Sequence, residues 1–282
     1  MAPSPITPRS ALLALALAAC QITTSGAAEP AKVVFQNGSS IPVTAVALQG
    51  NNLVVTAAVD GFSQGQTFPV QSADHVYGEK PPEVNQGIAL ILTDKPKDAL
   101  KLLEPVVAGH KGTAKVPGNF WLEAARAALV GYALSGNTAR CSEIGKEISD
   151  ATPAQGIDPF VALGKALLLP ATVKAEDRVI SLRDLTVGNQ PAEVSAYASY
   201  FAGNILLEAK RNPEALEAYL SVTCLYPTGG LILNAASEIK AADMLSALSR
   251  REEAVALLKS AERVSGGTVL AEEAKKRLES LK

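Results

Sequence analysis

Gly61-Phe62-Ser63-Gln64-Gly65 fits G-x-S-x-G letter for letter, the spacing that lifts a serine nucleophile onto a sharp strand-to-helix turn. Such a serine needs a histidine downstream as general base and a carboxylate to orient it. The only histidines are His75 and His110. Both follow Ser63 too closely to lie across a large α/β sheet, and Gln66 to Val70 reads as continuing strand, so the spacing predicts a hairpin loop. Ser237-Glu238-Ile239-Lys240 matches S-x-x-K, but neither S-D-N nor K-T-G accompanies it. The chain has no C-x-x-C, H-E-x-x-H, P-loop or G-x-G-x-x-G, and two isolated histidines do not make a conventional zinc site. The expectation is no catalytic residue, no metal and no cofactor, with a serine hydrolase through Ser63 as the remote alternative.

The elements that would position any site come next. At 282 residues and a net charge of −2, the chain can bury a substantial core and has no basic field for nucleic acid. The alanine-rich chain with 5% aromatic residues favours closely packed helices. Residues 31–79 read differently. Lys32 to Gln36, Val43 to Leu48, Leu53 to Ala57 and Thr67 to Val70 are β-branched runs separated by Asn37-Gly38, Gly50-Asn51-Asn52 and Asp60-Gly61, which predicts an antiparallel β module of four or five strands. Pro81-Pro82 ends it. From residue 83 to 282 helical patterns run in pairs: Glu83–Thr93 with Pro96–Ala108, Phe120–Leu134 with Ala139–Ile148, Asp158–Leu169 with Ala175–Thr186, Ala192–Lys210 with Asn212–Pro227, and a fifth pair over Leu233–Val264. A last helix spans Thr268–Leu281. The apolar first pair (Ile88, Leu90, Ile91, Leu92) predicts that the β module covers it.

The pairs repeat. Gly203, Ala215, Tyr219 and Val222, closed by Pro227, recur without the proline as Gly87, Ala99, Leu103 and Val106, and again as Ala242, Ala254, Leu258 and Ala261. A glycine lets two antiparallel helices approach, an alanine keeps the facing helix close, and the large residue fills the space toward the next pair. This pattern resembles the tetratricopeptide repeat, most specifically over the first and fourth hairpins. The resemblance implies a mostly α chain: a right-handed solenoid of about five helical hairpins plus a capping helix, preceded by the β module.

In that family the first helix of each hairpin lines a concave groove. Carried over, the groove residues are Tyr197, Tyr200, Asn204 and Glu208, with Glu123 and Arg126 from the second hairpin. Exposed tyrosines beside an amide suit a bound peptide; the competing readings are tyrosines packed between hairpins and a solvated Glu123 and Arg126 charge pair. The implied function is a non-enzymatic scaffold binding an envelope protein or peptide, with no nucleic acid; the alternative is a periplasmic small-ligand or glycan-binding module.

The N-terminus reads as an export signal, with Arg9 ahead of the apolar run Ala11 to Ala19. Leu17-Ala18-Ala19-Cys20 resembles a bacterial lipobox, which would cut after residue 19, lipidate Cys20 and make it the only membrane attachment. Ordinary cleavage after Ala27 or Ala28, ending a signal over 1–28, is the other reading. Both place the chain in the periplasm or at the outer membrane. Cys141 and Cys224 fall in different hairpins and are expected to be buried free thiols.

Overall fold

The computed structural model describes residues 30–59, 61–152 and 157–281; the segment read as an export signal, with Cys20, lies outside the described residues. Among the described residues, two three-stranded antiparallel sheets come first. In one, β1 (Lys32–Phe35) lies between β2 (Ser40–Pro42) and β6 (Ala73–Tyr77); in the other, β4 (Asn52–Val55) lies between β3 (Val46–Gln49) and β5 (Thr67–Pro69). Alternation positions the core: Val33, Phe35, Leu53 and Val55 point inward, as a period of two requires. The rings of Phe35, Phe62 and Phe68 meet there. The turn between β1 and β2 uses Asn37-Gly38 as expected, with Gly38 at φ +83° and Asn37 Oδ1 accepting from the Ser39 amide at 3.0 Å.

Six strands form where four or five were expected. Ser40–Pro42 and Ala73–Tyr77 are strands, whereas Val43–Ala45 is a 3₁₀ turn. Ile41-Pro42-Val43 and Phe68-Pro69-Val70 hold equivalent places, each leading from a strand into a 3₁₀ turn and then another strand. The module is thus two similar halves, and the last strand of each pairs with the first strand of the other.

Eleven α-helices follow among the described residues: α1 (Pro82–Leu92), α2 (Pro96–His110), α3 (Trp121–Leu134), α4 (Thr138–Ala151), α5 (Pro159–Leu167), α6 (Ala175–Arg183), α7 (Ala192–Glu208), α8 (Asn212–Leu225), α9 (Leu231–Ala247), α10 (Arg251–Val264) and α11 (Val269–Ser280). Four hairpin turns share one geometry. Asp94, Gly136, Lys210 and Ser249 all adopt positive φ, and the next amide bonds back five residues: Lys95 to Leu90, Asn137 to Tyr132, Arg211 to Leu206 and Arg250 to Leu245, each at 2.9 Å. This is the Schellman closure of a helix C-terminus. The close-approach glycines act as their spacing implies. A Cβ on Gly87 would lie 2.6 Å from the Leu103 side chain, and one on Gly203 would lie 2.7 Å from the Tyr219 ring.

Long-range packing departs from an open solenoid, in which each repeat touches only its neighbours. The first helices α1, α3, α5, α7 and α9 pack side by side in that order, and α9 packs back on α1. They form an inner layer, with α2, α4, α6, α8 and α10 outside. Burial follows: twelve of the seventeen residues of α7 are buried, against three of the fifteen in α2. A helix apolar all round belongs in an interior. The final helix α11 packs on α10, α9 and α1, so it joins the two ends of the array.

Two packing expectations are corrected: the β module does rest on the first hairpin, but through α2 rather than over α1, and one thiol expected to be buried lies on the outer surface of α8. The apolar face of α1 is covered by α3, α9 and α11, while the β module rests on α2 and the segment joining α2 to α3. Val116 enters the β core, the Val76 amide donates to Pro117 O at 2.9 Å, and a Cβ on Gly112 would stand 2.3 Å from Val46 O. Cys141 is a buried free thiol as expected, but Cys224 is exposed.

Candidate functional site

The groove residues separate into two groups at opposite ends of the inner layer, and the two tyrosines are not exposed. Tyr197 is 2% exposed and Tyr200 0%. Tyr197 packs edge-on to Phe160 and stacks on Phe201; Tyr200 donates its hydroxyl to Leu92 O of α1 at 2.5 Å. For Tyr200 ring closure is the reason, since it brings α1 onto the face that an open groove would leave to a partner; Tyr197 packs between neighbouring hairpins, as the competing reading has it. Burial holds both phenols well above the usual tyrosine range. Asn204 is half-buried and accepts from the Tyr219 hydroxyl at 2.7 Å, and Glu208 is exposed at the end of α7.

Tyr197 belongs with Glu123 and Arg126 at the end where α3, α5 and α7 begin. Asp158 caps α5, its Oδ1 accepting from the Phe160 amide at 3.0 Å. Its Oδ2 accepts from Arg126 Nη2 at 2.6 Å, and Asp158 is fully buried. The same guanidinium lies 3.7 Å from Glu193 and 4.9 Å over the Phe160 ring, while Arg126 Nε is buried without a hydrogen-bond partner. Glu123 turns instead to Lys80, at 2.9 Å. The solvated Glu123 and Arg126 pair therefore does not form: each reaches across to another segment. Burial pushes the Glu193 carboxyl up to about 7; Arg126 and Lys80 oppose that, and Glu123 and Asp158 add to it.

Tyr200, Asn204 and Glu208 lie toward the other end, where α1 finishes. Asp94, Lys240, Glu273 and Arg277 join Tyr200 there. Arg277 Nε donates to both oxygens of Asp243, at 2.8 and 3.0 Å, and Nη1 donates to Glu273 at 3.1 Å. Neither Asp94 nor Lys240 ion-pairs with any described residue. Sequence reasoning missed Lys80, Asp158 and Glu193 at the first end and Asp94 and Lys240 at the second. Asp158 ahead of Pro159 had a readable capping signal; the partners it gains through Arg126 had none.

Among the described residues the hydrolase motif has no assembled partners. Ser63 lies in the loop between β4 and β5, its amide donating to Gln66 Oε1 at 3.1 Å, and the chain runs on into a strand. His75 pairs with its neighbour Asp74 at 2.8 Å. His110 faces Phe120, and burial lowers its pKa. Ser237 is fully buried with its hydroxyl unpartnered. Among the described residues no group of acidic, histidine and cysteine side chains is placed to hold a metal, and no helix is long and apolar enough to cross a membrane. No family model matches the chain, and no curated protein or solved structure matches it either.

Proposed function

We propose that this chain is a non-enzymatic interaction protein of the bacterial cell envelope, exported by its N-terminal segment. Its tetratricopeptide-like hairpins, wound right-handed as in that family, hold a partner protein on their outer surface. With the inner layer closed, the concave-groove form of this reading is set aside. The observation that carries the new form is the outer face of α8. Pro213, Leu216, Leu220, Cys224 and Leu225 line a shallow hollow of about 400 Å³, and Leu225 is 67% exposed. From Pro213 to Cys224 the spacing of three to four residues makes one stripe along the helix, and Leu225 widens its end. Charge borders it at Glu217 and at Arg211, which bridges Glu176 and Glu214 at 3.0 Å each. An apolar stripe with a charged rim suits an amphipathic helix of the partner.

Cys224 supplies the probe. A photo-crosslinker attached to this exposed thiol is expected to capture one envelope protein. Leu225→Asp, at a side chain that is 67% exposed, is expected to abolish capture while leaving the thermal midpoint unchanged. Equal capture by that variant would remove α8 as the docking face. Labelling by a serine-reactive probe that is lost in Ser63→Ala would overturn the non-enzymatic reading.

A further inference from the structure

Where the array closes there is a cavity of about 150 Å³ between the end of α1 and helices α7, α9 and α11. Its polar wall is Thr93, Asp94, Tyr200, Lys240, Glu273 and Arg277; its apolar wall includes Leu92, Ala236, Ile239 and Leu270. Residues distant in sequence meet here only because the ring closes. Charge is unevenly satisfied. Glu273 is held by Arg277, which also engages Asp243. Asp94 and Lys240 line the same space without pairing with each other or with another described residue. Asp94 is solvent-exposed and Lys240 half-buried, so both charges remain open to a ligand that enters the space.

We propose that this cavity binds a small zwitterion, an α-amino acid of about the size of alanine, whose carboxylate meets Lys240 and whose ammonium meets Asp94. A simple anion fits less well. The lining sets Asp94 and Glu273 against Lys240 and Arg277, and Arg277 is already engaged by Glu273 and Asp243, so a lone carboxylate would meet Lys240 and leave Asp94 without a cation. The Tyr200 and Thr93 hydroxyls already donate, to Leu92 O and Ala89 O, and keep lone pairs that can accept from an ammonium. Volume sets the size class: at about 30 Å³ per water the space holds roughly five waters, enough for a methyl side chain and too little for an aromatic one. Asp94 is fixed at φ +60° by the same turn that closes three other hairpins, which sets where its carboxylate leaves the backbone. This inference uses no residue of the α8 face, and the two stand or fall separately.

Isothermal titration of the full chain with L-alanine, acetate, methylamine and L-phenylalanine tests it. L-Alanine is expected to bind, whereas the other three are not. Lys240→Met and Asp94→Asn are each expected to weaken alanine binding about tenfold or more; asparagine tolerates the left-handed backbone at residue 94, so that variant should fold. Absence of alanine binding at millimolar concentration would overturn the proposal. So would acetate binding as tightly as alanine, or alanine binding unchanged in both folded variants.

Discussion

The two ends of the inner helical layer solve the same problem in opposite ways. Where α3, α5 and α7 begin, Arg126 is drawn in among Asp158, Glu193 and Phe160, and the charges are buried and used. Where α1 ends against α9 and α11, Arg277 is satisfied at the rim while Asp94 and Lys240 face a cavity unpaired. The first arrangement ties neighbouring hairpins together, and removing one partner leaves a buried charge uncompensated. The second closes the first hairpin on the last and leaves charge available to a ligand. Stability is thus expected to depend on the first end, and binding on the second.

The largest effect should come from Asp158→Ala. It strands a guanidinium whose side chain is only 18% exposed and removes the cap of α5, and a broken buried pair costs about 3–5 kcal/mol; urea unfolding at neutral pH would measure it. Tyr200→Phe is expected to cost about 1–3 kcal/mol, because Leu92 O keeps its burial and loses its donor. A loss as large as that of Asp158→Ala would mean that the closing seam matters as much as the charged end. Gly203→Ala is expected to cost about 1–3 kcal/mol through overpacking against Tyr219, read as a lower thermal midpoint.

The pH dependence sharpens the contrast further. Glu193 sits at about 7 in the folded chain against 4.5 ordinarily, so between these values the folded state holds a proton that the unfolded chain has released. The stability this contributes is complete below about 4.5 and is lost as pH rises through about 7. Glu193→Gln is expected to flatten that decline; an unchanged slope would assign it to other groups. The smallest effect belongs to Lys240→Met, expected to change stability by no more than about 0.5 kcal/mol while weakening alanine binding about tenfold or more.

Much of the local structure was legible in the chain itself. Asn37-Gly38 specified a hairpin, Pro81-Pro82 separated β from α, and the spacings from Gly87 to Leu103 and from Gly203 to Tyr219 placed each glycine under the large residue it accommodates. These are short-range relations, set by turn stereochemistry and by two helices one loop apart. The same applies to the four turns that share positive φ at Asp94, Gly136, Lys210 and Ser249. The duplication within the β module was also readable, from Ile41-Pro42-Val43 and Phe68-Pro69-Val70, but only to a reader comparing the two halves.

Closure of the array was not legible. Nothing local distinguishes an inner helix facing a groove from one facing another helix, and tyrosine suits either place because its ring is apolar and its tip polar. The contact of Tyr200 with Leu92, the burial of Arg126 against Asp158, and the gap between Asp94 and Lys240 all depend on the distance between elements far apart in sequence. Local order was determined by the amino-acid sequence alone, because turn geometry and helix packing act within one hairpin. The sites were decided by tertiary structure, because the curvature that brings α9 back to α1 accumulates over every hairpin between them.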